Sequence, residues 1–197
     1  SLRGKDGRIL VEGIYDQVIE PNERESALVE EFARRRPEEL KEIYGLELPL
    51  LEEEQSKFLR RYFFEPALNI EGISSGYQGQ GVKTIIPSQA QAKLEVRLVP
   101  GLEPQDVLEK IRQQLIKNGY PKVELTYTLG EMSYRSDMSS PSILNVIELA
   151  KKYYREGVAV LPTSAGTGPM HIVYDALQVP MMSFGLGHAN SRDHGGD

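Results

Sequence analysis

Three stretches of this chain gather side chains able to do chemistry. The first is Leu161-Pro-Thr-Ser-Ala-Gly-Thr-Gly-Pro-Met170, where an apolar segment gives way to small residues and then to a helix opened by Pro169. Amide N–H groups in a helix's first turn lack partners within the helix, and the dipole is positive there, so the position suits a carboxylate. Gly166 and Gly168 let a ligand approach the backbone closely, and Thr167 offers a hydroxyl. An ordinary strand-to-helix turn has the same spacing, and the residues leave both readings open. The second stretch is Gly185-Leu-Gly-His-Ala-Asn-Ser-Arg-Asp-His194, on a loop after an apolar strand. Imidazole is a common transition-metal ligand, so His188 and His194 are candidates, with Asp193 able to orient one of them. Loop histidines are more often solvated, and His171, in a helix's first turn, reads as structural. The third is Arg97, with Thr84 upstream. Arginine grips a carboxylate with a planar fork. On sheet chemistry alone, an ion pair with Glu95 or a neighbouring strand explains Arg97 better.

The elements that must position these residues are legible as periods. Ala90, Ala92, Leu94, Val96 and Leu98 alternate with Gln91, Lys93, Glu95 and Arg97, which predicts a half-buried strand over 88–99 with Arg97 on its polar face. Residues 69–77 predict the strand before it, followed by a glycine-rich loop that lacks the lysine and helix start of a phosphate cradle. After the alternating strand, Pro104 suits a first helical turn. Val107, Leu108, Ile111 and Leu115 form its apolar stripe, and Gly119 ends it. Val123, Leu125, Tyr127 and Leu129 alternate again. Upstream, residues 6–16 predict a turn and strand. Asn22 with Glu25 predicts a helix start. Further helices are expected from Pro37 to Gly45 and across Leu51, Phe58, Leu59 and Tyr62, the last stopped by Pro66.

A polar, aperiodic stretch over 132–141 suggests a boundary, so the chain divides into 1–136 and 137–197. The first part is expected to be α+β, an antiparallel sheet with helices on one face in a ferredoxin-like arrangement. The second is expected to be a partial α/β unit: a helix from Ser140-Pro141, a strand at 158–161, a helix from Gly168-Pro169 and a strand at 179–184. The 197 residues carry a net charge of −6 with acidic and basic residues interleaved, which reads as solvated helix faces and not as a nucleic-acid surface. No apolar run is long enough to span a bilayer. Cysteine is absent, so disulfides and thiolate metal sites are excluded within this stretch. A cytoplasmic location is expected.

Gly-Tyr-Gln-Gly-Gln-Gly-Val-Lys-Thr-Ile-Ile-Pro-Ser-Gln-Ala-Gln-Ala-Lys-Leu-Glu-Val-Arg-Leu-Val-Pro (76–100) resembles the lid-domain signature of the M20 metallopeptidases, particularly their carnosinase-like dipeptidase branch. Residues 162–169 and 185–194 resemble the family's two closing motifs, in the same order, and residues 6–16 also look like that branch. The resemblance implies a lid, or dimerisation, domain over 1–136 and a return into a catalytic domain over 137–197. It implies two divalent ions, zinc or sometimes manganese, and a bridging water that attacks an amide carbonyl. His194 matches the family's last metal ligand. Thr84 and Arg97 match lid positions that contact substrate, and Gly166, Thr167 and Gly168 match the loop that holds the substrate's terminal carboxylate. A homodimer through the lid is implied, with a short peptide or an N-acyl amino acid as substrate and neither nucleic acid nor membrane as partner. The family's remaining ligands and its glutamate base match nothing in this sequence. The chain by itself is therefore expected to be inactive and to bind zinc weakly at best. For the protein carrying it, the resemblance implies a dipeptidase or carboxypeptidase; the alternatives are an N-acyl-amino-acid deacylase of the same family, or a non-catalytic dimerisation or binding module that reuses the lid fold.

Overall fold

The computed structural model describes residues 2–35, 55–154, 157–166 and 168–184. Helix α1 (Glu23–Arg35) begins where Asn22 and Glu25 predict it. The Glu25 amide donates to Asn22 Oδ1 at 2.9 Å, and the Asn22 amide donates to Glu25 Oε2 at 2.9 Å. This reciprocal capping satisfies two amides that a helix start otherwise leaves without partners. Helix α2 (Gln55–Phe64) stops just before Pro66, which cannot continue a helix. Val29 and Ala33 of α1 pack on Leu59, Phe63 and Phe64 of α2. The helix expected from Pro37 to Gly45, and Leu51, lie outside the described residues.

Strands β1 (Ala67–Ser75) and β2 (Ala90–Arg97) form an antiparallel pair running from Ala67↔Arg97 to Ser75↔Ala90. Glu71 bulges out between Ile70 and Gly72, which keeps Ile73 on the face of Ile70 and Leu94. The period-two reading of 88–99 thus holds, but burial follows it at one end only. Leu68 and Val96 pack against Val107 and Ile111 of helix α3 (Pro104–Lys117), together with Ile9, Val11, Ile14 and Leu102. Farther along the same face Ile70, Ile73 and Leu94 are exposed, Ile73 at 71%. The opposite face carries Asn69, Glu95 and Arg97. The arrangement is α+β, with a helix on one face of the sheet.

Helix α3 ends as its glycine predicts. Gly119 takes φ of 87°, its amide donates to Ile116 O at 3.0 Å, and the Tyr120 amide donates to Leu115 O at 2.9 Å. This paired closure needs a left-handed residue where glycine costs least. Two expected strands differ from the sequence reading. Residues 6–16 make one isolated bridge, Arg3 with Ile9, and then successive turns around Gly13 at φ 74°. Ile9, Val11 and Ile14 are still buried, so apolar spacing fixed their burial but not a strand. Residues 123–129 pair with no strand among the described residues. Only Leu125 packs on the core, and Leu129 is 78% exposed. Alternation sets which way side chains face; a ladder also needs a neighbouring row of amides and carbonyls.

Beyond the stretch at 132–141 come helix α4 (Pro141–Tyr153) and helix α5 (Met170–Leu177), both where expected. Residues 158–161 and 179–184 have no ladder partner among the described residues. The expected boundary is not a loose linker. Arg135 Nε meets Glu25 Oε1 at 3.0 Å with side chains only 7% and 5% exposed. Its Nη2 donates to the carbonyls of Ile19 and Glu20 at 3.1 and 3.3 Å, and its guanidinium lies 5.1 Å from the centre of the Phe64 ring. On either side, Tyr134 stacks on Tyr174 at 4.4 Å. Ser136 Oγ accepts from the Met181 amide at 3.0 Å and donates to the Met181 carbonyl at 2.7 Å. The connector therefore holds the N-terminal segment on one side and the α5 region on the other.

Candidate functional site

Arg97 projects from the polar face at the base of β2, opposite Ala67. Its Nε donates to Glu95 Oε2 at 3.2 Å, and its Nη1 donates to the Ala165 carbonyl at 3.1 Å. Arg97 therefore makes two kinds of contact. It makes the ion pair with Glu95 that sheet chemistry suggests, and it also reaches the small-residue loop 162–168, 68 residues farther along the chain. The structure thus joins two of the three stretches singled out from sequence.

That loop is shaped by its own short contacts. The Gly166 amide donates to Ser164 Oγ at 3.1 Å, and the Met170 amide turns back onto Gly168 O at 2.8 Å. The Met170 amide is thus not offered to an anion. A Cβ on Gly166 would stand 3.2 Å from Ser164 Oγ, tight enough to press on it. A Cβ on Gly168 would meet Met170 at an ordinary 3.6 Å, so no packing within the described residues requires glycine there. Gly166 is exposed and Gly168 half-buried. Thr167 lies outside the described residues.

Thr84 sits apart from this cluster. It is exposed, on the loop 76–89 between the strands, at the centre of a three-residue turn closed by the Ile85 amide on Lys83 O at 2.9 Å. The loop is pinned at its base by Ser75 Oγ donating to Gln89 O at 3.2 Å, and Gln78 Nε2 donating to Ser75 O at 2.7 Å. Arg97 is at the other end of β2, and an eight-residue strand spans roughly 20–25 Å. Val82, Ile85 and Ile86 flank Thr84 and are exposed, Val82 at 93%.

His171 Nε2 lies 3.1 Å from Asp175 Oδ2 one turn on, which fits a local structural role. His188 and His194 lie outside the described residues. Among the described residues, no group of three or more His, Asp or Glu could hold a metal ion, and none of their helices is long and apolar enough to cross a membrane. Sequence reasoning missed Arg135, which falls in a stretch without a period. In the sequence Glu25 is marked only as a cap and Asn69 only as the start of a strand. Asn69 comes beside Glu95 through the strand register, which no single-strand pattern reveals.

Residues 15–123 match the family model of the peptidase dimerisation domain of the M20 peptidases. The chain is 24% identical over 211 residues to a rat Beta-Ala-His dipeptidase, an alignment covering 98% of this chain and 40% of that protein. It is 30% identical over 117 residues to a Cys-Gly metallodipeptidase of Schizosaccharomyces pombe, covering 59% of this chain and 24% of that one. Among solved structures, an M20 family metallo-carboxypeptidase from Sulfolobus solfataricus superposes with a TM-score of 0.74 at 35% identity, over 91% of this chain and 40% of that chain. This chain thus spans about two fifths of the rat protein and of the Sulfolobus structure.

Proposed function

Because the chain belongs to the M20 peptidase family through its dimerisation domain, we propose that the protein carrying it is a metal-dependent dipeptidase or carboxypeptidase. On this reading residues 1–136 are its lid, and residues 137–197 are the return into its catalytic domain. The single observation that carries the reading is the hydrogen bond from Arg97 Nη1 to the Ala165 carbonyl. It brings a lid guanidinium against the small-residue loop that precedes α5, where a substrate's terminal carboxylate would replace the carbonyl as acceptor and gain a charge-assisted bond. Gly166 and Gly168 belong to that side of the site in this proposal, and Thr167, outside the described residues, is assigned a carboxylate-binding role by its motif alone. The names of the relatives, a Beta-Ala-His dipeptidase, a Cys-Gly metallodipeptidase and a metallo-carboxypeptidase, point to short peptides as substrates.

Thr84 enters the proposal differently. Its distance from Arg97 along one hairpin argues against one substrate touching both within a protomer. A homodimer resolves this if the partner's hairpin tip reaches over the site. The bare apolar end of the sheet, with Ile70, Ile73 and Leu94, is surface that such an association would cover. The metal belongs to the same proposal: two divalent ions, zinc or manganese, with His194 as one ligand. The described residues do not by themselves form such a site. The work assigned to them is binding and orienting. A cytoplasmic location is part of this reading. The test is hydrolysis of β-Ala-His and Cys-Gly by the protein carrying this chain, before and after chelation and after adding back zinc or manganese. Hydrolysis lost on chelation and restored by either ion is expected. Activity indifferent to metal, or none with any short peptide, would refute the reading.

A further inference from the structure

We infer that Glu95 and Asn69 are positioning residues that aim the Arg97 guanidinium at the loop 162–168. The inference rests on the reading that Arg97 meets the substrate, and it assigns to two other residues how that meeting is arranged.

The strand register sets up the geometry. Asn69 stands directly opposite Glu95, and Ala67 opposite Arg97. Ala67 ends at Cβ, so the residue across the ladder gives the guanidinium nothing to lean on. The restraint comes from Glu95, two positions back on the same face. Its Oε2 accepts from Arg97 Nε at 3.2 Å and from Asn69 Nδ2 at 3.3 Å. One carboxylate oxygen thus ties the arginine to the neighbouring strand. Glu95 is half-buried with its side chain 33% exposed, while that of Arg97 is 44% exposed.

A guanidinium is planar with its donors in a fixed fork. Holding the Nε edge sets the plane, and here that plane carries Nη1 to the Ala165 carbonyl at 3.1 Å. An exposed ion pair of this kind adds little to stability. Its effect lies in direction: a long, rotamer-rich side chain is ordered before a ligand arrives, which lowers the entropy lost on binding. Glu95 also takes the Nε donor of the side-on edge of the fork. An incoming carboxylate is therefore steered to the end-on edge, displacing the Ala165 carbonyl from Nη1.

The test uses Glu95→Ala, Glu95→Gln, Asn69→Ala and Arg97→Lys in the protein carrying this chain, with β-Ala-His and Cys-Gly as substrates. Glu95→Ala should lower kcat/KM by about 10- to 100-fold, mostly through KM, as when a supporting partner of a binding group is lost. Glu95→Gln keeps an acceptor for Nε and should recover most of that loss, and Asn69→Ala should fall between the two. Glu95→Ala in an Arg97→Lys background should add nothing. A second readout needs no catalysis: in 15N-edited spectra the Arg97 Nε–H should exchange slowly with water, and it should lose that protection in Glu95→Ala but not in Glu95→Gln. If Glu95→Ala keeps wild-type kinetics or wild-type protection while Arg97→Lys loses activity, the positioning role is wrong and the reading of Arg97 stands. If Arg97→Lys is itself unaffected, the functional reading fails first. Should Glu95→Ala not fold, Asn69→Ala decides instead: an intermediate loss of kcat/KM supports the positioning role, and wild-type kinetics beside an inactive Arg97→Lys overturns it.

Discussion

Replacing Arg135 with methionine isolates a buried charge pair whose consequences can be worked through atom by atom. The substitution keeps an apolar stem of similar length and removes the guanidinium. Glu25 Oε2 retains the Asn22 amide, while Oε1 loses its partner in a place where the side chain is 5% exposed. Leaving one member of a buried pair uncompensated costs about 3–5 kcal/mol. The carbonyls of Ile19 and Glu20 also lose their donor, but both residues are exposed and water can replace it. The loss of the cation over Phe64 adds roughly 0.5–2 kcal/mol. Against these, Arg135 Nη1 is buried without a hydrogen-bond partner, and removing it returns part of a desolvation cost of about 1–3 kcal/mol. The net expectation for Arg135→Met is a loss of about 3–4 kcal/mol, set mainly by the stranded carboxylate. Adding Glu25→Gln removes that charge and keeps a capping oxygen, so the double variant should recover at least about 2 kcal/mol of the loss. Urea denaturation of the four members of this cycle measures it, with a constant m-value required for the comparison. A single-variant loss below about 1 kcal/mol, or additive losses in the double variant, would refute the claim that pairing here compensates buried charge.

Arg97→Lys keeps the charge and loses the planar fork, so kcat/KM should fall by a factor on the order of 10²–10³ while stability changes by roughly 0.5 kcal/mol; steady-state kinetics beside thermal melts separate the two. Leu102 has no exposed surface and lies between Val99 and the base of α3. Leu102→Ala should destabilise by about 2–5 kcal/mol, read as a lowered denaturation midpoint, unless the N-terminal segment collapses onto the cavity. Asp137 is held below the usual carboxylate range by the Ser139 hydroxyl first and by the Ser139 amide second. A depressed acid stabilises the fold above its unfolded value and loses that contribution as pH falls through the lower folded one. Ser139→Ala should therefore melt below wild type at neutral pH, and the gap should close in the acid limb of a melting-temperature profile. A gap that stays constant down to acid would assign the loss to something other than Asp137.

The parts of the fold legible in the sequence are those decided locally. Asn22 and Glu25 close a capping pair over three residues, Pro104 and Gly119 bracket α3, and the alternation over 88–99 settles which side chains share a face. What the sequence left unread depends on partners far along the chain. Val123 to Leu129 alternates as cleanly as β2, yet only a neighbouring strand makes such a segment part of a sheet. Arg135 lies in a polar run that looks like a linker because its partners, Glu25, Ile19 and Glu20, are remote in sequence. At the candidate site the same division holds. Residue type and spacing singled out Arg97 and the loop 162–168 separately. Their contact through Ala165, and the alignment of Asn69 with Glu95, follow from register and chain return, which no local period encodes.

The connector also bears on the order in which the chain can be assembled as it leaves the ribosome. Arg135 follows the Glu20 carbonyl by 115 residues, a wait of roughly 6–23 s at synthesis rates of ~5–20 residues per second. During that time Glu25 has only its local partner, the Asn22 amide, which stabilises the start of α1 without the guanidinium. The other carboxylate oxygen stays hydrated until Arg135 arrives, and its desolvation is deferred to the moment when a counter-charge can accompany it. Val29 and Ala33 can already pack on Leu59, Phe63 and Phe64 by then, so closure at Arg135, followed by Ser136 meeting Met181, adds the charge pair and the tie to the α5 region to a helix pair that is complete in the chain long before.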